Sequence, residues 1–409
     1  MSSATYRTLL RAPGAAAFFL TAAVGRVGIA MTSLGIVWLV YGATGSYATS
    51  GLVTGGFAVA EALAGPQLAR LIDRFGQSRV LPPALLAHTL AVGALLASVH
   101  GHAPAWLMTA GGVLAGATIP QLGALSGARW AALLRGERAA ELPTAFSLES
   151  LANAVAYLAG PFLVSVLGAG GHPMLGTLLA AALVLSGGLA LAAQRRTAPA
   201  PESSAFERRR ANRSLLRPAF AGLIGFNLSI GVFFGATQVS TTAFTVQHGA
   251  ADAAALIFAV SSCGSLLAGW LYGLSRWRAA SRVQLVVAVS GLALASALPP
   301  AVGSPLGLGF ISVLTGAAIP PILVLLSVLT DKTVHPAALT QAFTWLNSAS
   351  AAGSAGAAAL SGWVADVAGA RYGFAVATAG PVVMVLLAVI GLRGHDRDAS
   401  RTRRVSAAR

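Results

Sequence analysis

The chain has 409 residues, of which 56% are hydrophobic and 10% are charged, and its formal net charge is +15. Soluble domains carry about 25% charged residues, and a water-soluble fold of this length could not bury so much apolar surface. The composition therefore excludes a soluble protein and predicts that lipid surrounds most of the chain.

Apolar runs recur along the chain at the length that a membrane-spanning helix needs, which is about 20 residues. We number them spans 1 to 12. They cover residues 15–41, 47–70, 80–99, 104–127, 144–167, 173–193, 218–244, 253–274, 283–302, 305–329, 341–364 and 373–392. The pattern predicts an all-α membrane protein with twelve transmembrane helices. The first run is too long for the core of a signal peptide, so we interpret it as span 1.

The basic residues predict how these spans are oriented. If both termini are cytoplasmic, all but two of the 27 Lys and Arg residues fall on the cytoplasmic side, since only Arg371 lies in an outer loop and Arg26 lies within span 1. An excess of basic residues marks the cytoplasmic loops of membrane proteins. This distribution explains the net charge without nucleic-acid binding and predicts a multi-pass protein of the plasma membrane.

The longest polar stretch between spans covers residues 194–217 and holds seven arginines. We interpret it as a solvated linker, with a regulatory or lipid-contacting role as the alternative. It separates an N-terminal bundle (1–193) from a C-terminal bundle (218–393), which a basic cytoplasmic tail (394–409) follows. "GATIP" at 116–120 recurs as "GAAIP" at 316–320. The two halves are therefore duplicates, and such halves enclose a substrate site near mid-membrane.

The loop between spans 2 and 3 contains "ARLIDRFGQSRV" at residues 69–80. This Asp-Arg-x-Gly signature, with a degraded copy between spans 8 and 9, resembles the major facilitator superfamily, whose loop reads roughly Gly-x-Leu-Ala-Asp-Arg-x-Gly-Arg-Lys. Ala69 and the pair Gln77 and Ser78 depart from that pattern. Gly160 and Pro161 in span 5 are similar to a Gly-Pro element of the family's exporters. The resemblance covers the whole chain and implies two pseudo-symmetric six-helix bundles.

The loop also supplies a candidate cytoplasmic gate, whose residues are Asp73, Arg74, Gly76, Arg79 and Arg129. Gly76 provides the permissive backbone angles of a tight turn, and Asp73 can face the positive N-terminus of a helix in the other half. The resemblance implies that this helix is span 11, near residues 336–341, and that Arg129 is an ionic partner of Asp73. Such contacts would hold the cytoplasmic side shut. The alternative is that Arg74 and Arg79 serve only as orienting charges.

Charged residues inside a membrane are costly, so each is a functional candidate. Arg26 lies near the middle of span 1, Glu61 lies near mid-depth in span 2, and Glu149 lies near the inner end of span 5. We hypothesise that Arg26 pairs with Glu61 or Glu149. These residues then either couple transport to protons, bind an anionic substrate group through Arg26, or form a structural ion pair.

Uncharged polar residues complete the list of candidates. Those that we expect to contact substrate are Gln121, Asn227, Gln238, Trp345 and Asn347. His88 in span 3 is expected to have a packing role, because the family places that helix on the outside of the bundle. Many proton-coupled members carry an Arg inside helix four and an acid in helix one. Here Arg129 ends span 4 and Arg26 occupies span 1, so the usual relay does not transfer.

We predict a secondary active transporter that works by alternating access and exports small amphiphilic or drug-like molecules by proton antiport. The Gly-Pro element and a largely apolar cavity favour export. The alternative is an importer of a small organic anion bound by Arg26. The expected partners are the lipid bilayer, a small-molecule substrate and protons, and we expect a monomer.

Other classes of function have little support in the sequence. The single cysteine, Cys263, cannot form an internal disulfide, and no metal-ligand cluster or nucleophile–base pair indicates an enzyme. No metal, cofactor or nucleic acid is expected. A transport-inactive sensor with the same fold is a further alternative, which saturable movement of a labelled compound would exclude.

Overall fold

The computed structural model of the protein describes residues 6–201, 204–250, 252–275, 277 and 279–407, without the side chains of residues 205, 208 and 391–407. Some arginines that the predicted orientation counts, including Arg276 and Arg278, lie outside the described residues, as do the side chains of Arg208 and the tail.

The described part of the chain is helical and has no β-strand. The α-helices are α1 (Tyr6–Leu10), α2 (Ala15–Thr44), α3 (Tyr47–Phe75), α4 (Gln77–His100), α5 (Ala105–Thr118), α6 (Leu122–Leu133), α7 (Leu142–Ala169), α8 (Pro173–Ala193), α9 (Ala205–Leu215), α10 (Pro218–Gln247), α11 (Ala253–Leu274), α12 (Ser281–Ser296), α13 (Pro305–Thr333), α14 (Leu339–Ala368) and α15 (Ala370–Ala407).

Helices occupy every predicted span. Nine helical segments of the described chain are long and apolar enough to cross a membrane. The remaining predicted spans are span 2, which is α3, span 11, which is α14, and span 4, which is divided into α5 and α6. α3 and α14 are less apolar because they are rich in Gly, Ser and Thr, and α3 also carries Glu61. α5 and α6 are each too short to cross a membrane alone.

The outer surfaces of the helices are apolar. Leu90, Leu294 and Phe310, for example, are 65%, 74% and 78% exposed. In water, large contiguous apolar patches of this kind are avoided. A bilayer removes the penalty, because lipid tails are as apolar as the side chains that face them.

The chain forms two compact units. Unit 1 consists of Met1–Phe220 and Thr330–Ser348, and unit 2 consists of Ala221–Leu329 and Ala349–Arg409. Unit 1 therefore contains α1 to α9, the first residues of α10, the end of α13 and the beginning of α14. Within unit 1, α2 packs along α7 and α8, and α3 packs along α5. Within unit 2, α12 packs along α15.

Glycines allow close helix approach in unit 2. A Cβ atom added at Gly231 or Gly235 of α10 would overlap the backbone carbonyl of Ser350 or Ser354 of α14, respectively. A small residue at such a crossing lets two backbones touch, which stabilises helix pairs in membranes. Gly222, in the same helix, has open space at its Cβ position.

We expect Gly235→Ala to destabilise unit 2 by about 1–3 kcal/mol, the usual cost of overpacking. The overlap is with backbone, which cannot move aside as a flexible side chain can. The thermal midpoint of the purified protein in detergent measures the effect. Gly222→Ala is the matched control and should be neutral or slightly stabilising, because Ala favours helix. Equal midpoints for the two variants would contradict the close crossing.

Span 4 is interrupted at residues 119–121, between α5 and α6. Pro120 lacks an N–H group and cannot continue the helical hydrogen bonds, so carbonyl groups near the end of α5 need other partners. The imidazole of His88 supplies one, with its Nδ1 atom 3.0 Å from the carbonyl oxygen of Ala115. The matching segment of the second half, "GAAIP", lies inside the uninterrupted α13.

Candidate functional site

Polar side chains gather in unit 1 around the interruption of span 4. We call this group the polar cluster. Its members are Arg26 on α2, Glu61 on α3, Gln121 at the interruption, Ser126 on α6, and Glu149 and Asn153 on α7. Arg26, Ser126 and Glu149 are buried and satisfy one another, whereas Glu61 and Gln121 are half-buried and Asn153 is exposed.

Arg26 and Glu149 form a buried ion pair and are only 5% and 8% exposed. The Nη2 atom of Arg26 contacts one carboxylate oxygen of Glu149, and Ser126 donates to the other oxygen at 2.6 Å. The Nη1 atom of Arg26 lies 3.3 Å from both the Glu149 carbonyl oxygen and the Asn153 side-chain oxygen. The partner of Arg26 is therefore Glu149 rather than Glu61, and the pair is neutral overall.

Glu61 has a different environment from Glu149. Its side chain is half-buried and accepts a hydrogen bond from the Gln121 amide at 2.6 Å. The oxygen of that amide lies 3.5 Å from the Asn347 amide nitrogen of α14. Within the described part of the chain, no basic side chain lies at ion-pair distance from Glu61. An ionised Glu61 thus gives the polar cluster a net charge of −1.

Asp73 contacts the first turn of α14. One of its carboxylate oxygens accepts a hydrogen bond from the backbone N–H of Gln341 at 2.9 Å, so Asp73 faces the helix N-terminus that the sequence analysis named. Burial raises the pKa of Asp73 to about 7, although hydrogen bonds from Thr340 and Gln341 act in the opposite direction. Gly76 separates α3 from α4 with a φ of +92°, an angle that favours glycine.

Arg129 does not pair with Asp73, contrary to the expectation. Its side chain is fully buried and donates from Nε to the Gln77 amide oxygen at 2.7 Å. Its remaining donors bond the Leu191 carbonyl at 2.9 Å, the Gln194 carbonyl at 2.9 Å and the Thr197 hydroxyl at 2.7 Å. Burial lowers the pKa of Arg129 to about 10, so it stays charged at neutral pH.

The reason for this difference is the residue at position 77. The family pattern has a basic side chain there, which would repel a guanidinium, whereas the amide oxygen of Gln77 accepts from one. Arg129 consequently ties the start of α4 to the end of α8 and the start of the linker. Arg74 and Arg79 are both exposed, and neither forms an ion pair with a described residue.

Asn227, Gln238 and Trp345 take part in none of the hydrogen bonds described for the polar cluster. Asn227 belongs to unit 2 and donates to the Leu223 carbonyl of its own helix at 2.9 Å. Gln238, also in unit 2, is exposed, and Trp345 on α14 is half-buried. Gly160 lets α7 approach α2 closely, because an added Cβ atom would lie 2.9 Å from the Ala30 side chain. Pro161 lies within the continuous α7.

Ser126 and Asn153 were not predicted from the sequence, and Gln77 was noted only as a departure from the family pattern. Asn153 carries a usable signal, because it follows Glu149 by four residues and shares its helix face. Ser126 carries none, since isolated Ser residues are frequent in such helices. Within the described residues, no group of three or more His, Cys, Asp or Glu side chains is placed to hold a metal ion.

Comparison with solved structures shows the same fold in known transporters. The human organic anion transporter MFSD10 matches with a TM-score of 0.67 and 17% identity over 91% of this chain and 98% of that one. A bacterial homologue of the iron transporter ferroportin matches with a TM-score of 0.74 and 13% identity over 92% and 98%. The E. coli fucose:proton symporter FucP matches with a TM-score of 0.67 and 14% identity over 92% and 97%.

The sequence comparisons are consistent with this fold. No curated protein sequence matches the chain. The family profile described as "Major Facilitator Superfamily" matches residues 18–339, which is more than half of the chain. Members of this family are membrane transporters rather than enzymes, and the apolar helices described above agree with that assignment. The chain therefore belongs to the Major Facilitator Superfamily.

Proposed function

We propose that this transporter lies in the plasma membrane, works by alternating access, and exports small amphiphilic molecules in exchange for protons. The observation that supports the proposal is the difference between two carboxylates. Glu149 is neutralised by Arg26, whereas Glu61 has a single amide donor and no cation among the described residues. An ionised carboxylate without a counter-charge is costly inside a membrane.

Glu61 is the exchange group in this proposal. A proton removes its charge, and a cationic group of the substrate compensates the same charge, so the two ligands compete for one carboxylate. The amide of Gln121 can donate to Glu61 in either state and holds it in place. The substrate class that fits is therefore an amphiphile with a basic amine, whose apolar part contacts the surrounding helices.

Import of a small organic anion is the second candidate. The fold similarity to a protein named as an organic anion transporter favours it, as does the presence of Arg26 within the membrane. The contacts of Arg26 weaken it, because the guanidinium would have to leave Glu149 before it could bind a substrate carboxylate. That exchange would expose a second buried negative charge.

Transport in vesicles of both orientations distinguishes the two candidates. The probes are a panel of labelled amphiphilic amines and a panel of carboxylates of similar size, each tested with and without an imposed proton gradient. Uptake of amines into inside-out vesicles, driven by an acidic lumen, is the expected result. Gradient-driven uptake of carboxylates into right-side-out vesicles would instead support the importer.

Asp73 is proposed to hold the cytoplasmic side closed through its contact with α14. Because burial raises its pKa from 3.8 to about 7, the closed contact binds more protons than an open one, in which the carboxylate is hydrated. The ratio of closed to open protein therefore increases as the pH falls from 7 toward 4, by up to about tenfold per pH unit. This proton-dependent stabilisation of the closed state is lost as the pH rises through about 7.

Spin labels can measure this pH dependence. We suggest Arg70→Cys with Lys332→Cys, both at exposed positions, in a Cys263→Ala background. The population with the shorter label-to-label distance should increase as the pH falls below 7. Asp73→Asn cannot titrate and should remove the dependence. An unchanged pH profile in that variant would show that another group is responsible.

A further inference from the structure

The linker helix α9 docks on the segment that precedes α14. Ala211 and Ser214 lie on its inner face and are only 5% and 2% exposed. The Ser214 hydroxyl accepts from the backbone N–H of His335 at 3.0 Å, and a carboxylate oxygen of Glu207 lies 3.0 Å from Nε2 of the same histidine. One face of α9 is thus fully engaged within unit 1.

The exposed side of α9, together with the two residues that follow the helix, forms a stripe that we call the arginine stripe. Its residues recur every three or four positions, as one face of a helix requires. They are Phe206, Arg209, Arg210, Arg213, Leu216 and Arg217, and all are exposed. Phe206 and Leu216, near the two ends, are 67% and 83% exposed. Arg210 approaches Glu207 at 3.4 Å, and its side chain remains 61% exposed.

We propose that the arginine stripe binds the headgroups of anionic phospholipids in the leaflet beside which α9 lies. The chain connection supports this partner, because α9 ends at Leu215 and the membrane helix α10 begins at Pro218. The end of α9 must therefore lie close to a membrane surface. This inference depends on the membrane location of the chain and is independent of the substrate and coupling proposed above.

The chemistry of the stripe matches an anionic membrane surface. Guanidinium groups bind phosphate oxygens in pairs and attract negative lipids. Phe206 and Leu216 are large apolar side chains that are mostly exposed, and the boundary between headgroups and acyl chains would bury both. A face of this composition, with Arg between aromatic and aliphatic anchors, is typical of helices that lie in a membrane interface.

Fluorescence quenching in the full-length protein tests the proposal. A bimane label on Asn212→Cys, in a Cys263→Ala background, reports contact with nitroxide-headgroup lipid in nanodiscs. The nanodiscs contain either phosphatidylcholine alone or phosphatidylcholine with up to about 30% phosphatidylglycerol, within the range of anionic leaflets. Quenching should rise with the phosphatidylglycerol content and saturate. Quenching that does not depend on phosphatidylglycerol would overturn the proposal.

Paired variants distinguish lipid binding by the arginine stripe from a general attraction between the basic linker and anionic lipid. Arg209→Gln with Arg213→Gln should remove the increase in quenching with phosphatidylglycerol. Each Arg near an anionic surface strengthens binding to that surface by about fivefold. Arg195→Gln with Arg196→Gln removes the same charge from the same linker but outside the stripe, and this variant should keep the full increase in quenching. Arg209→Lys with Arg213→Lys should keep most of that increase. An equal loss in both Gln pairs would overturn the proposal in favour of a nonspecific charge effect.

Discussion

Glu61→Gln is expected to reduce proton-coupled transport to the rate of vesicles that lack the protein. The substitution keeps the size of the side chain and an oxygen that can accept from Gln121, but it removes the group that binds and releases a proton. It also removes the charge that a cationic substrate would compensate. Because no ion pair of the described residues depends on Glu61, folding should change by less than about 1 kcal/mol.

The measurement is the rate of amine uptake into inside-out vesicles across a range of pH. Glu137→Gln is a suitable control, because Glu137 is an exposed acid outside the polar cluster. It should transport at the wild-type rate. Wild-type transport with an unchanged pH profile in Glu61→Gln would eliminate Glu61 as the exchange group.

The second large effect is expected from Arg26→Gln. This change leaves the Glu149 carboxylate buried at 8% exposure with no counter-charge. Breaking one side of a buried ion pair costs about 3–5 kcal/mol, which is a large part of the stability of a typical protein. We expect low amounts of folded protein in the membrane and a much lower thermal midpoint in detergent.

The double variant Arg26→Gln with Glu149→Gln should recover most of this stability, since two neutral amides can bond each other and Ser126. Its transport rate then separates the roles that remain open for the pair. Retained amine transport indicates a structural ion pair, whereas lost transport in a folded double variant assigns the pair a direct part in the cycle. If Arg26→Gln alone is as stable as wild type, the buried pair described here is contradicted.

Much of the fold follows from the pattern of apolar runs, because a helix that crosses lipid must be long, apolar and free of charge. The interruption of span 4 does not follow from that pattern. Pro120 is visible in the sequence, yet Pro320 and Pro321 lie inside the continuous α13. Membrane helices tolerate proline when their neighbours bond the freed backbone groups, so the outcome depends on tertiary contacts.

The same limit applies to the polar cluster. Its charged members are conspicuous in the sequence, because charges inside spans are rare. The choice between Glu61 and Glu149 as the partner of Arg26 depends on how α2, α3 and α7 rotate about their axes, and no single-helix pattern fixes that rotation. The partner of Arg129 depended in turn on one side chain, Gln77, whose amide replaces the basic residue of the family pattern.

The interruption at residues 119–121 makes the backbones of the two repeats unlike. At the position 200 residues after His88, the second repeat has Ala288, which has no group to donate to a freed carbonyl. The fourth span of the first repeat is thus two short helices, whereas α13 is one continuous helix. Gln121 lies between the two short helices and donates a hydrogen bond to Glu61. A change of charge at Glu61 is therefore applied directly beside a break in the helical backbone, and α13 has no corresponding break.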